Sequence, residues 1–319
     1  MSPAFDELPM QEMPSPEEIA RLREREYNAT VTYFHRIHDE LGVIRIRPDF
    51  PIPPHKAGQY TTIGAGYWEP RVDHCQPEEL EAVQLSKVVK RAYSISCPIL
   101  GSDGDLLRRE DEDQLEFYVV LVRDAEKRPP ALTPRLFAMQ PGSRLFMSEK
   151  IIGTYTLDHV KPNDTVIFMA TGTGEAPHNK MLLELLRRGH QGLIASVVCV
   201  RFRGDLGYFD THQKILARLP NYRYIGLTTR VKENLQNKIY IQDLISSGQL
   251  EERLGQKIDP AATHAFLCGN PKMIGVPERG PDGKLHYPQP TGVVELLEAR
   301  GLKCDRAREP GNIHFEKYW

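Results

Sequence analysis

The sequence predicts two domains in tandem, an antiparallel β-barrel followed by an α/β domain built on an open parallel sheet. Three observations predict this. The chain has 319 residues, more than one hydrophobic core ordinarily serves. From Asn28 onward, short β-rich runs follow one another with turn residues between them. After Pro162, strand-like and helix-like segments alternate, as they do in parallel sheets. The expected division is 1–26 for an N-terminal extension with a short helix, 27–157 for the barrel domain and 158–319 for the α/β domain.

The elements follow in order. The first 14 residues are acidic and rich in Pro and Met, and are expected to be loose. Ser15-Pro16-Glu17-Glu18 is a helix start, with a cap, a proline and a glutamate at the capping-box position. The helix is expected to run to about Tyr27. Strands are expected at ATVTYFHRIHD (29–39), LGVIRIRP (41–48), AGQYTTIG (57–64), RAYSISCP (91–98) and LEFYVVLVRD (115–124). Two segments interrupt them: 67–90, whose PEELEAVQLSKVVK suggests an inserted helix, and 101–114, a charged hairpin tip. Beyond Pro162, strands are expected at 164–170, 193–200, 222–229 and 264–268, and helices at 177–188, 211–219, 241–247 and 291–300.

Composition excludes several classes. The apolar share of 40% and charged share of 26% are those of a soluble globular protein. A net charge of −2 offers no general attraction for nucleic acid. Apolar runs such as Ile194 to Val200 are too short to cross a bilayer, so no membrane association is expected. The opening MSPAFDELPM lacks the basic and apolar regions of a secretory signal. Cys75, Cys97, Cys199, Cys268 and Cys304 are not spaced as zinc or iron–sulfur ligands, and a reduced, cytoplasmic chain is expected. No metal-ligand pattern is found among the 11 histidines.

Four motifs carry chemistry. In VIFMATGTGEAPHNKMLLELL (166–186) an apolar strand enters a glycine turn and leaves as a helix. Free N–H groups at such a helix start bind phosphate. The turn is neither a Walker loop, since no lysine comes before Lys180, nor Gly-x-Gly-x-x-Gly, since Pro177 takes the last position. In KRAYSIS (90–96), alternation puts Arg91 and Tyr93 on one strand face and Ser94 on the other. An arginine there can neutralise a pyrophosphate, and a ring can cover a flat heterocycle; an ordinary half-buried strand fits the same residues. CGNPKM (268–273) puts Cys268 at the C-terminal end of a strand, where open α/β sheets bind ligands, although a free cysteine is commonly just a small buried residue. The chain ends in HFEKYW, whose last two residues are adjacent aromatics that either pack or stack on something.

In this order the motifs R-x-Y-S, G-T-G-x-A-P, C-G-x-P-x-M and a terminal aromatic resemble the ferredoxin–NADP⁺ reductase family, over roughly residues 28 to 319, and most of all its bacterial branch of flavodoxin/ferredoxin reductases. The resemblance implies an oxidoreductase that uses FAD and NADP(H), passing a hydride between NADPH and flavin and single electrons between flavin and ferredoxin or flavodoxin. It implies that Arg91 binds the FAD pyrophosphate, that Ala92 is among the cofactor-binding residues, that Tyr93 packs on one face of the flavin, and that Ser94 stands near N5. Tyr118, Val119 and Val120 would contribute largely backbone, Thr133 a hydroxyl for the pyrophosphate, Tyr318 cover for the other flavin face, and Trp319 a contact near the adenine. Gly172, Thr173 and Gly174 would receive the NADP pyrophosphate, and Cys268 would border the nicotinamide. Arg201, Thr229, Arg230 and Lys238 would bind the 2′-phosphate, and Tyr240 would stack on adenine. A monomer is expected, with Arg71, Lys87, Lys90 and Arg128 as candidate cations toward an acidic partner.

The chain also departs from the family. Glu175 and the Pro-His-Asn-Lys run stand where relatives usually carry an apolar residue and an aromatic, and a carboxylate there repels a pyrophosphate unless it points away or binds something else. Two rival functions are the reductase component of an oxygenase, in which a fused plant-type iron–sulfur domain is excluded here by the cysteine spacing, and a non-catalytic nucleotide-binding scaffold, against which Tyr93, Ser94, Cys268 and the terminal aromatics speak.

Overall fold

The computed structural model describes residues 13–306 and 309–318; the expectations for residues 1–12 and for Trp319 lie outside the described residues. Helix α1 (Pro16–Glu26) starts with the expected capping box. The Glu18 N–H donates to Ser15 Oγ at 3.3 Å and the Ser15 N–H to the Glu18 carboxylate at 2.8 Å. Leu22 docks the helix on Tyr27 and Trp68.

Six strands form the first sheet: β1 (Ala29–His38), β2 (Leu41–Pro48), β3 (Tyr60–Gly66), β4 (Val88–Ser94), β5 (Leu115–Val120) and β6 (Arg144–Met147). They pair antiparallel in the order β4-β3-β6-β1-β2-β5. Ile44, Ile46, Ile63, Phe117 and Leu145 turn inward and are fully sealed. Among the described residues β4 and β5 do not pair with each other; one bridge, Ser96 with Glu116, joins the chain just past β4 to β5, and most of both edges lacks a strand partner there. Sequence reading missed β6, because four residues are too few to show alternation.

The expected helix in 67–90 is corrected to a single turn, α2 (Ala82–Leu85). Val88 and Val89 are drawn into β4 opposite Gly66 and Ala65. Glu78 is drawn inward to Arg135 of α3 (Thr133–Ala138), which is 2% exposed and pairs with it at 2.8 Å. Arg135 also donates to the carbonyls of Ala131 (2.7 Å) and Tyr67 (2.9 Å). Removing one member of a buried pair strands the other, so Arg135→Ala is expected to lower stability by about 3–5 kcal/mol, seen as an earlier urea transition. Arg71 is corrected too: it is no free surface cation, lying 3.6 Å from Glu78 and donating to the Gln76 and Pro130 carbonyls.

The second sheet comprises β7 (Thr165–Thr171), β8 (Ile194–Val200), β9 (Tyr222–Thr228), β10 (Thr263–Gly269) and β13 (Ile313–Lys317). Around it lie α4 (Glu175–Arg187), α5 (Phe209–Leu216), α6 (Ile241–Ser246), α7 (Gln249–Leu254), α8 (Pro271–Ile274) and α9 (Val293–Glu298), with a small hairpin of β11 (Glu278–Arg279) and β12 (Leu285–His286). All five strands run parallel in the order β13-β10-β7-β8-β9. Helix α4 stops where Gly189 was expected to stop it. Gly189 takes φ +66, its N–H donates to Leu186 and the His190 N–H to Leu185.

From β7 the chain steps outward to β8 and β9, then returns to place β10 on the other side of β7. The order therefore reverses between β7 and β10, and open α/β sheets bind ligands at the carboxyl ends of strands at such a switch point. The insert at 101–114 fastens the barrel to this region. Cys97 and Ile99 at its root pack with Phe168 and Met181, and Glu112 pairs with both Lys180 and Arg187 of α4.

Candidate active site

Two loops leave the switch point side by side. Gly172–Gly174 makes one tight turn between β7 and α4, and Cys268-Gly269-Asn270 leads from β10 into α8. A Cβ on Gly174 would fall 2.3 Å from the Cys268 carbonyl oxygen, so only glycine lets the loops touch. The Asn270 N–H donates to Thr171 Oγ1 at 2.8 Å and ties them further. Gly172 lies at φ +52 with nothing within 4 Å of where its Cβ would be, so its backbone faces open space. Thr173 is buried. Open glycine backbone leading into a 13-residue helix suits a pyrophosphate.

The seam between the domains gathers three residues selected from three motifs. The Tyr318 hydroxyl is in electrostatic contact both with Ser94, at the end of β4, and with Cys268, at the end of β10. The Tyr318 N–H donates to the Gly269 carbonyl at 3.2 Å. Burial pushes the Tyr318 phenol and the Cys268 thiol up, so both are protonated at neutral pH. Tyr93 stands on β4 next to Ser94, its ring edge-on to Phe117 at 6.3 Å. Tyr318 reaches this place because β13 pairs with β10, setting Cys268 opposite Glu316 and Gly269 opposite Lys317.

Along the open barrel edge, Ala92 and Val120 are exposed, and Arg91 is exposed with its guanidinium donating to the Lys90 carbonyl. Among the described residues Arg91 forms no ion pair. An uncompensated cation beside unpaired strand backbone and exposed apolar side chains fits an FAD held by this edge. Tyr118 and Val119 are buried, and the Tyr118 hydroxyl is committed to the α/β domain, donating to the Asp205 carbonyl and accepting the Gly207 N–H, each at 3.1 Å. The Thr133 hydroxyl accepts the Val122 N–H at 3.1 Å.

Arg201, Arg230 and Lys238 are all exposed beyond the C-terminal ends of β8 and β9, and the Arg230 N–H donates to the Arg201 carbonyl at 2.8 Å. None of the three forms an ion pair among the described residues. Tyr240 is 45% exposed just before α6. The Thr229 side chain is buried and donates to the Val200 carbonyl at 3.1 Å, so it joins strand ends while the three cations face outward.

Glu175 does not face the open turn. It is 2% exposed and bonds to His212 at 2.8 Å. Sequence reading missed Glu316, two residues before Tyr318 on the same strand face, a spacing that could have signalled it. Burial pushes the Glu316 carboxyl up to about 7. Its folded state therefore keeps a proton that the unfolded state loses, so this contribution to stability is complete below the ordinary carboxylate range and is lost as pH rises toward 7. Urea midpoints at pH 5 and pH 7.5 should differ more in the wild type than in Glu316→Gln; equal differences would contradict the assignment.

Comparison with known proteins agrees with the resemblance read from the motifs. Residues 168–278 match the family model of the oxidoreductase NAD-binding domain. A flavodoxin/ferredoxin–NADP reductase of Buchnera aphidicola subsp. Baizongia pistaciae (strain Bp) is 26% identical, over 84% of this chain and 90% of its own. That of Escherichia coli (strain K12) is 29% identical, over 70% of this chain and 77% of its own. Among solved structures, a ferredoxin NADP+ reductase from Neisseria gonorrhoeae with bound FAD and NADP superposes with a TM-score of 0.66 at 20% identity, over 92% of this chain and 99% of that one, and so shares the two-domain fold. Among the described residues, no helix is long and apolar enough to cross a membrane.

Proposed function

We propose that this chain, similar through both domains to flavodoxin/ferredoxin–NADP reductases, is an FAD-dependent oxidoreductase that moves electrons between NADP(H) and a ferredoxin or flavodoxin. The observation that carries this is the placing together of Ser94, Tyr318 and Cys268, which joins the barrel edge to the switch point of the sheet. Bound flavin supplies the exchange between a two-electron hydride donor and one-electron acceptors.

The chain's own residues bind and orient. Arg91 neutralises the FAD pyrophosphate, the strand edges around Ala92 and Val119–Val120 accept the cofactor's polar groups, and Tyr93 supports one ring face. Gly172 and Gly174 admit the nucleotide pyrophosphate, while Arg201, Arg230 and Lys238 supply cations for a 2′-phosphate and Tyr240 a face for the adenine. Tyr318 would give way to a bound nucleotide, and Ser94 and Cys268 would then lie beside the cofactors. Bringing donor and acceptor together in one site would be a proximity effect. Thr133 and Thr229 act in this scheme as supports for the backbone around the two phosphate sites. The protein acts as a monomer in the cytoplasm, with Lys87, Lys90 and Arg128 offered to an acidic partner.

The test is NADPH-driven reduction of cytochrome c with and without added flavodoxin or ferredoxin. Reduction that depends on the carrier protein is expected. Rapid NADPH consumption that no carrier accelerates would leave a flavin reductase with a different acceptor.

A further inference from the structure

We infer that Glu175 is a positioning residue that holds the Gly172–Gly174 turn in shape through a buried polar strut reaching to β8. Its consequence for nucleotide affinity rests on the function proposed above; the strut itself does not.

The turn has little to hold it. Two of its three residues are glycines, Gly172 has open space around it, and no side chain caps the start of α4. One side is fixed by the contact of Gly174 with the Cys268 carbonyl. The other side is fixed by the first residue of α4. Glu175 Oε1 lies 2.8 Å from His212 Nε2 on α5, and His212 Nδ1 lies 2.7 Å from the hydroxyl of Tyr222, the first residue of β9. That hydroxyl donates to Ser196 Oγ on β8 at 2.9 Å. Glu175, His212 and Tyr222 are each at most 2% exposed, and the His212 ring stacks on Tyr224 at 4.5 Å with a 15° tilt. The next residue, Ala176, packs on Leu41, Val43 and Tyr118 of the barrel. The exit of the turn is thus registered against three other elements of its own domain and against the barrel.

Burying a carboxyl is unfavourable unless its bonds are well made. Glu175 Oε2 has no hydrogen-bond partner among the described residues, so the bond from Oε1 to His212 fixes the side chain. An apolar residue could fill the same volume without fixing the direction of the turn.

The experiment compares Glu175→Ala and Glu175→Gln in the flavin-loaded protein by hydrogen exchange of residues 171–176 and by NADP⁺ titration. Glu175→Ala should exchange these amides faster and weaken NADP⁺ binding about tenfold, the worth of one hydrogen bond to a charged group, with flavin content retained and NADPH turnover losing KM rather than kcat. Glu175→Gln, which keeps an acceptor for His212, should stay near wild type in both. Unchanged exchange in Glu175→Ala, or a Glu175→Gln as loose as the alanine variant, would overturn the strut. Should Glu175→Ala fail to fold, His212→Asn is read in the same way. If the wild type binds no NADP⁺, the functional proposal fails while the exchange data still decide on the strut.

Discussion

Replacing Tyr318 by serine is expected to tighten NADP⁺ binding about 10- to 100-fold and to slow turnover by retarding product release. The side chain is in electrostatic contact with Ser94 and Cys268, and its backbone is bonded to Gly269. Any nicotinamide that reaches this seam must first displace this half-buried ring from its contacts with Ser94 and Cys268. A nucleotide's apparent affinity is reduced by the fraction of molecules whose ring is out, and the serine removes that penalty. At a fixed concentration, NADPH that already saturates the wild type gains nothing, whereas NADH gains occupancy, so the preference between them narrows. Flavin difference spectra with NADP⁺ and stopped-flow reduction by both nucleotides measure this. A variant with wild-type affinity and rates would make Tyr318 a packing residue and revive the non-catalytic scaffold.

The second large effect is expected at the phosphate site. Arg230→Ala should raise the KM for NADPH about 10- to 100-fold, since a charge-assisted hydrogen bond contributes about 1.5–3 kcal/mol. It should leave kcat and the KM for NADH nearly unchanged, because the lost contact is made equally in ground and transition states. Arg230 is exposed, unpaired among the described residues and next to Arg201 through the main-chain bond between β8 and β9, so no other part of the fold depends on its charge. Steady-state assays with ferricyanide as acceptor read both constants. Equal losses for the two nucleotides would remove Arg230 from the 2′-phosphate site. The effect should shrink as salt rises, since the cations are exposed.

What could be read in the sequence was local. The glycine turn with its helix, the capping box at Ser15 and the stop at Gly189 each depend on a few neighbouring residues, and each stands in the structure as expected. The alternation of strands and helices after Pro162 likewise gave the second sheet. What could not be read was set by partners distant in sequence. The five residues of β13 take their register from β10, which is why Tyr318 lies at the seam. The inserted helix fails because Glu78 is pulled to Arg135 and Val88 and Val89 join the barrel. Arg71 reads as a surface cation until Glu78 is seen beside it. The direction of Glu175 depends on His212, 37 residues on, and no periodicity announces that bond. Thr229 belongs to the phosphate motif by position, yet its hydroxyl is committed to Val200.

The most direct measurement is an anaerobic absorbance spectrum of the purified protein before and after one equivalent of NADPH, with NADH in a parallel cuvette. Flavin bands that bleach quickly with NADPH and slowly with NADH are expected, because the seam provides for the hydride and Arg201, Arg230 and Lys238 provide for the phosphate. No flavin band, even after FAD is added, would contradict the account at its centre.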